Sequence, residues 1–191
     1  PLLFKLIDAN DDLSIQVHPD DETAALRHNS LGKTEMWYVI DAEPDGELIV
    51  GFKNDCSRQE YLKALEEGHV ADLLKRVPVS KGDVIFIPAG LVHAIKKGVL
   101  VAEIQETSDL TYRIYDYKRT DEHGKERELH TELALDVINF SATKNPKVTY
   151  EPKVNAITPL VSCDYFTTNL LLFNRTIIRN YSSLDSFVVY M

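Results

Sequence analysis

Gly82-Asp83-Val84-Ile85-Phe86-Ile87-Pro88-Ala89-Gly90-Leu91-Val92-His93 decides the reading of this chain. Val84 to Ile87 is an apolar run of strand length, and Pro88-Ala89-Gly90 ends it with a turn. His93 then stands at the start of a second strand-like run, Val92 to Ile95. A lone strand histidine is usually a core or surface residue, so its meaning depends on what else the chain brings to it.

Two upstream segments supply partners. In Leu13-Ser14-Ile15-Gln16-Val17-His18-Pro19, Gln16 and His18 are two residues apart. A strand points both to one face and gives Leu13, Ile15 and Val17 the other. Lys33 and Glu35 in Lys33-Thr34-Glu35-Met36-Trp37-Tyr38 repeat that spacing. Two imidazoles, a carboxylate and an amide oxygen suit an open zinc site, because Zn²⁺ takes nitrogen and oxygen ligands at about 2.0–2.2 Å and catalytic sites keep one position free. A glutamate buried in an apolar strand beside Trp37 needs a cation or hydrogen bonds.

Gly-x5-Pro-x-Gly-x2-His over Gly82 to His93 resembles the second signature of the cupin superfamily, whose members are small double-sheet β-barrels. With Gln16 to Asp21, Lys33 to Tyr38 and Thr111-Tyr112-Arg113-Ile114-Tyr115-Asp116 in the same order, the chain resembles type I mannose-6-phosphate isomerases in their short bacterial form. The likeness is dense from about residue 1 to 140 and looser beyond. It implies a mainly β fold: a cupin (double-stranded β-helix, or jelly-roll) barrel over 1–140, a helical insertion near 57–77, and part of a second cupin-like β unit over 141–191.

The resemblance also implies roles. His18, Glu35 and His93 would hold one zinc ion per chain. Gln16 would be the fourth ligand or would orient His18. Many cupins carry histidine where this chain has Gln16, which favours the isomerase over iron-dependent cupin oxygenases. Arg113 would be the catalytic arginine, Lys33 the lysine that precedes the glutamate ligand, and Glu103 an acid of the pocket. From the residues alone, Arg113 could equally stack on a neighbouring tyrosine or pair with Asp116, and Glu103 could be a salt-bridged strand residue. The implied reaction interconverts mannose 6-phosphate and fructose 6-phosphate through a metal-stabilised cis-enediolate, with no redox cofactor. Two other readings fit the same residues: a non-catalytic cupin that binds a sugar phosphate, and a 2-His-1-carboxylate iron oxygenase.

Composition sets outer bounds. The 191 residues are 44% hydrophobic, enough to bury a sizeable core. A formal charge of −9 argues against general nucleic-acid binding. A phosphorylated sugar needs only a few convergent cations, on which net charge is silent. No apolar run reaches the length of a membrane span and no signal-peptide pattern opens the chain, so a cytoplasmic protein without membrane partners is expected. Cys56 and Cys163 form no C-x-x-C pair and read as reduced thiols. The apolar runs at both ends, Leu2-Leu3-Phe4 and Phe187 to Met191, suggest a piece of a longer protein.

Between the motifs, Leu2 to Val17 reads as two strands around Asp8 to Asp12, and Asp20-Asp21-Glu22 opens a short helix with carboxylates at its positive end. Glu35 to Ile40 and Glu47 to Phe52 are strands joined at Pro44-Asp45-Gly46. Ser57-Arg58-Gln59-Glu60 has capping-box spacing. Val70, Leu73, Leu74 and Val77 suggest a second helix that ends at Pro78, and His28 and His69 read as packing or surface residues. Residues 79–117 return to strands, 119–127 read as an exposed loop, and Thr131 to Phe140 as a helix. Strand-like runs follow at Lys147 to Tyr150, Phe166 to Phe173 and Thr176 to Tyr181.

Overall fold

In the computed structural model, which describes residues 2–191, side chains alternating between two environments build the strands. Pro1, where the expected barrel unit opens, lies outside the described residues. β1 (Leu2–Asp8), β3 (Glu35–Ala42), β6 (Val84–Ile87) and β8 (Val99–Glu106) form one sheet in the order β1-β8-β3-β6. β2 (Ile15–Val17), β4 (Glu47–Phe52), β5 (Leu74–Pro78), β7 (His93–Ile95) and β9 (Tyr112–Tyr115) form the other, in the order β5-β4-β7-β2-β9. Every ladder within these two sheets is antiparallel. The two sheets face each other as a cupin barrel.

Alternation sorts the side chains into layers. Trp37, Val39, Leu48, Val50, Ile85, Ile87, Ile95, Val99 and Val101 pack between the sheets. Their neighbours along the strands point outward. Ile15, Val17, Ile49, Ala94, Tyr112 and Ile114 meet Tyr61, Val70, Ala134 and Leu135 from the helical side. Those four come from α2 (Arg58–Glu66), α3 (Val70–Leu73) and α4 (Thr131–Leu135), while α1 (Asp21–His28) follows β2. On the opposite side Met36, Val84, Ala102 and Ile104 are covered by Leu160, Val161 and Phe166 of a hairpin formed by β10 (Ala156–Ser162) and β11 (Thr167–Leu172).

The helix starts follow local chemistry. Asp20 caps α1 by accepting the Thr23 N–H at 2.8 Å. Ser57 and Glu60 form the reciprocal capping box of α2, each side chain taking the other residue's main-chain N–H.

The expected second helix is shorter than its spacing suggests. α3 is a single turn, and Leu74 to Pro78 is strand β5, so the helical insertion closes at Leu73 rather than near residue 77. Leu74 and Val77 fit helical spacing, but β4 has an open edge, and pairing with it satisfies backbone groups that a second helical turn would leave beside that edge. β4 bends there: Gly51 has φ +68° and lies so close to Thr143 that a β-carbon would clash.

Three further expectations are corrected. The 131–140 segment is helical only to Leu135, since the Asn139 N–H leaves the helix to bond the Gly90 carbonyl at 2.9 Å. Lys147 to Tyr150 makes only an isolated bridge with Ile85, and residues 176–181 form no strand. The strand β10, with Pro159 inside it, went unread in the sequence.

Candidate metal centre

The space between the sheets is apolar along most of its length and polar at one end. β2, β7 and β9 lie side by side, with Gln16 facing His93 on one flank and Arg113 on the other. Since Ile15 and Val17 are committed to the helical core, Gln16 must face the opposite way. His18 follows β2 by one residue and Lys33 precedes β3 by two, so period-2 alternation gives Gln16 and His18 one face and Lys33 and Glu35 another, as the sequence spacing implies. Gly90 ties this end together: its N–H bonds the His18 carbonyl at 2.9 Å, and at φ +85° its missing β-carbon leaves room for the Val137 carbonyl.

His18, Glu35 and His93 are all buried, and one ligand-capable atom of each converges on the others. His18 Nε2 lies 3.6 Å from Glu35 Oε2, and His93 Nε2 lies 3.4 Å from Glu35 Oε1. The Gln16 amide is 3.2 Å from His93 Nε2. Its oxygen and nitrogen exchange by a half-turn, so it can offer either a donor or an acceptor there.

The tautomers follow from the partners. His18 Nδ1 lies 2.9 Å from the Leu110 carbonyl and His93 Nδ1 lies 2.7 Å from the Leu91 carbonyl. A carbonyl only accepts, so each Nδ1 carries the proton and each Nε2 presents a lone pair inward. Burial pushes the His93 imidazole down to about 3, against the pull of Glu35, and keeps it neutral. Burial works against charge on Glu35, but its partners outweigh it and hold the carboxyl well below its usual range, the Lys33 ammonium among them. Lys33 Nζ lies 3.0 Å from Glu35 Oε2.

These residues fit a metal on two counts. His18 Nε2 and both Glu35 oxygens are buried without a well-directed hydrogen bond. Such groups are costly unless a ligand satisfies them. A tetrahedral ion with bonds of about 2.0–2.1 Å separates its ligand atoms by roughly 3.3–3.4 Å. The His93–Glu35 and His18–Glu35 separations of 3.4 and 3.6 Å, each to a different carboxylate oxygen, lie near that value, and the ligand-capable atoms of the three residues all lie within 4.8 Å of one another. The imidazole Nδ1–carbonyl bonds are the kind that orient metal-binding histidines.

Glu103 stands beside the cluster. Its oxygens accept from Trp37 Nε1 at 2.9 Å and Lys5 Nζ at 3.0 Å, and Lys33 Nζ is 3.8 Å away. Lys5 also donates to Gln105. Lys5 belongs to none of the motifs, although a lysine between Leu3 and Ile7 on the inward side of a strand is a readable signal. Arg113 neither stacks on tyrosine nor pairs with Asp116. Its Nη1 donates to the Glu128 carbonyl at 2.8 Å, and its Nε–H is buried without an acceptor. Asp116 is taken by Arg119 and Arg127. Elsewhere, His28 bonds the Tyr112 hydroxyl and His69 lies exposed beside Asp72, so neither reaches the cluster.

Comparison with known proteins adds a separate line. Residues 1–59, which include Gln16, His18, Lys33 and Glu35, match the family description "Phosphomannose isomerase type I, catalytic domain". A mannose-6-phosphate isomerase of Bacillus subtilis is 44% identical over 170 residues, covering 87% of this chain and 54% of the relative. Over most of its length the chain is thus similar to phosphomannose isomerases of type I. A Streptococcus mutans mannose-6-phosphate isomerase is 42% identical over 168 residues, covering 87% of the chain and 53% of the relative. The crystal structure of the mannose 6-phosphate isomerase from Bacillus subtilis superimposes with a TM-score of 0.78 at 39% identity, covering 87% of this chain and 54% of that one. The chain thus spans about half the length of the phosphomannose isomerases it matches. No helix among the described residues is long and apolar enough to cross a membrane.

Proposed function

We propose that this protein is a zinc-dependent mannose-6-phosphate isomerase acting in the cytoplasm, with His18, Glu35, His93 and Gln16 as metal ligands and with Lys33, Glu103 and Arg113 as the reacting-site residues. The observation that carries this reading is the convergence of two imidazole lone pairs and a buried, ionised carboxylate at one end of the barrel. That Lys33, Glu103 and Arg113 belong to the same polar end supports it.

The reaction has no net redox change. The sugar ring opens, one proton leaves C2 and arrives at C1, and a second passes from O2 to O1. A bound zinc ion would supply Lewis acidity toward the sugar oxygens. The chain's own residues do the remainder. Arg113 adds fixed positive charge where negative charge develops, in a site already arranged for it. Lys33 and Glu103 form a cation–carboxylate pair through which the carbon-bound proton is handled, and Lys5 and Trp37 fix the carboxylate's orientation. The apolar layer beneath keeps water from the floor of the site.

A coupled assay of mannose 6-phosphate and fructose 6-phosphate interconversion in both directions tests this reading. Activity should vanish with a chelator and return with zinc. Tight binding of the sugar phosphate without turnover would instead make the protein a binding module.

A further inference from the structure

The return loop after β9 does more than connect. Residues 128–130 run along the outer edge of β9, which is the edge strand of its sheet. His130 grips the main chain of Arg113 from both sides. Its Nδ1 accepts the Arg113 N–H at 3.0 Å, and its own N–H donates to the Arg113 carbonyl at 2.8 Å. Two residues earlier, the Glu128 carbonyl takes the Arg113 guanidinium.

His130 occupies the N-cap position of α4 but makes no capping bond with its side chain. An N-cap side chain normally satisfies a helix N–H, and its loss costs about 1 kcal/mol. Here the imidazole is turned to Arg113 instead. The segment is also fastened from the other end. Arg127, adjacent to Glu128, makes a two-point bond to Asp116 through Nε at 2.7 Å and Nη2 at 2.5 Å, and Asp116 lies three residues beyond Arg113. Arg119 completes the clamp on the same carboxylate.

We infer that His130 is a positioning residue for Arg113: with the Glu128 carbonyl it fixes both the main chain and the guanidinium of that arginine on an otherwise open sheet edge. The inference rests on the proposed role of Arg113. An arginine stabilises developing charge only while it is held where that charge appears, and displacement by about 1 Å can cost on the order of 10²-fold. A free guanidinium on an edge strand would sample several rotamers. The 128–130 segment removes that freedom without touching substrate.

The test compares His130→Ala with His130→Asn, whose Oδ1 sits near the position of the histidine Nδ1. In the metal-loaded protein, His130→Ala should lower kcat roughly 10-fold, within the cost of misplacement, with KM and metal content near those of the parent. His130→Asn should recover most of that loss. In an Arg113→Ala background, His130→Ala should add nothing. Independently of turnover, the imidazole ¹⁵N spectrum of the parent should show His130 Nδ1 unprotonated, because only that tautomer can accept the Arg113 N–H. A protonated Nδ1, or unchanged kcat in His130→Ala, overturns the inference. So does an Asn variant as slow as the Ala variant. If Arg113→Ala itself keeps the parent's kcat, the role given to Arg113 fails, and this one falls with it. If Arg113→Ala is slow while His130→Ala is not, only the positioning role is lost.

Discussion

The two ends of the barrel interior are made of the same strands and differ only in what those strands point inward. On β8, Val99 and Val101 face the apolar end, and Glu103 and Gln105 continue the same row into the polar end. On β3, Val39 and Trp37 lead to Glu35, and on β7, Ile95 leads to His93. The apolar end is satisfied by packing alone. Burial there is worth about 25 cal/mol per Å² and needs no partner of defined geometry. The polar end is the reverse: His18 Nε2 and the Glu35 oxygens are buried and lack well-directed bonds within the protein. One end stabilises the fold, and the other holds buried polar groups that packing does not satisfy and that, beyond the Lys33–Glu35 contact, are free to meet a ligand.

The sharpest way to break that contrast is to remove a group from the polar end. His93→Ala deletes one inward lone pair and should lower metal affinity by more than about 100-fold, since even partners one step removed from a metal typically cost 10–100-fold. His69→Ala, on the surface beside Asp72, should leave metal content unchanged. Metal analysis of both purified variants checks this, and equal content would break the assignment.

Arg113→Ala separates holding the metal from using it. By analogy with loss of a single oxyanion donor, kcat should fall about 10²–10³-fold. Metal content and Tm should remain near the parent's, because Arg113 is bonded to the return loop rather than to the His18–Glu35–His93 cluster. Unchanged kcat with a raised KM would show uniform binding instead.

The opposite substitution is made at the apolar end. Leu48 is fully buried between the sheets. Leu48→Ala should cost roughly 2–5 kcal/mol of stability in a denaturant titration while metal affinity stays put. A parallel loss of metal would mean that the two ends are not independent.

The polar end was legible in the sequence because its residues obey period 2 inside apolar strands. Gln16 with His18, and Lys33 with Glu35, stand out against Ile15, Val17 and Trp37. What the sequence hid was pairing between distant segments. Leu74 and Val77 carry spacing that suits a helix or a strand, and only the open edge of β4 decides between them. Lys5 is a single charge in an apolar run, and its purpose appears only when β1 lies beside β8 and brings it to Glu103. His130 and Glu128 read as part of a charged loop, and the hydrogen bonds they make to Arg113 depend on that loop folding back along β9. Thr176 to Tyr181 has strand composition, but no strand among the described residues pairs with it.

The smallest effect belongs to the helical layer, which lies outside the barrel and calibrates the others. Ser57 caps α2, and loss of its hydroxyl leaves the Glu60 N–H without its side-chain acceptor, while the main-chain N–H of residue 57 can still donate to the Glu60 carboxylate. Ser57→Ala should therefore cost about 0.5–2 kcal/mol, read as a lower midpoint at unchanged m-value. α2 meets the barrel through Tyr61, whose ring packs against Phe52 and Phe140 on the outer face of the five-stranded sheet, with Leu62 and Leu65 packed against the same cluster. Fraying at the first turn of α2 is separated from His93 by that whole sheet. Metal affinity and kcat should match the parent's. A change in either would mean that the outer layer is coupled to the polar end through β4 and β7, and the division between packing and chemistry drawn here would have to move outward to include the helices.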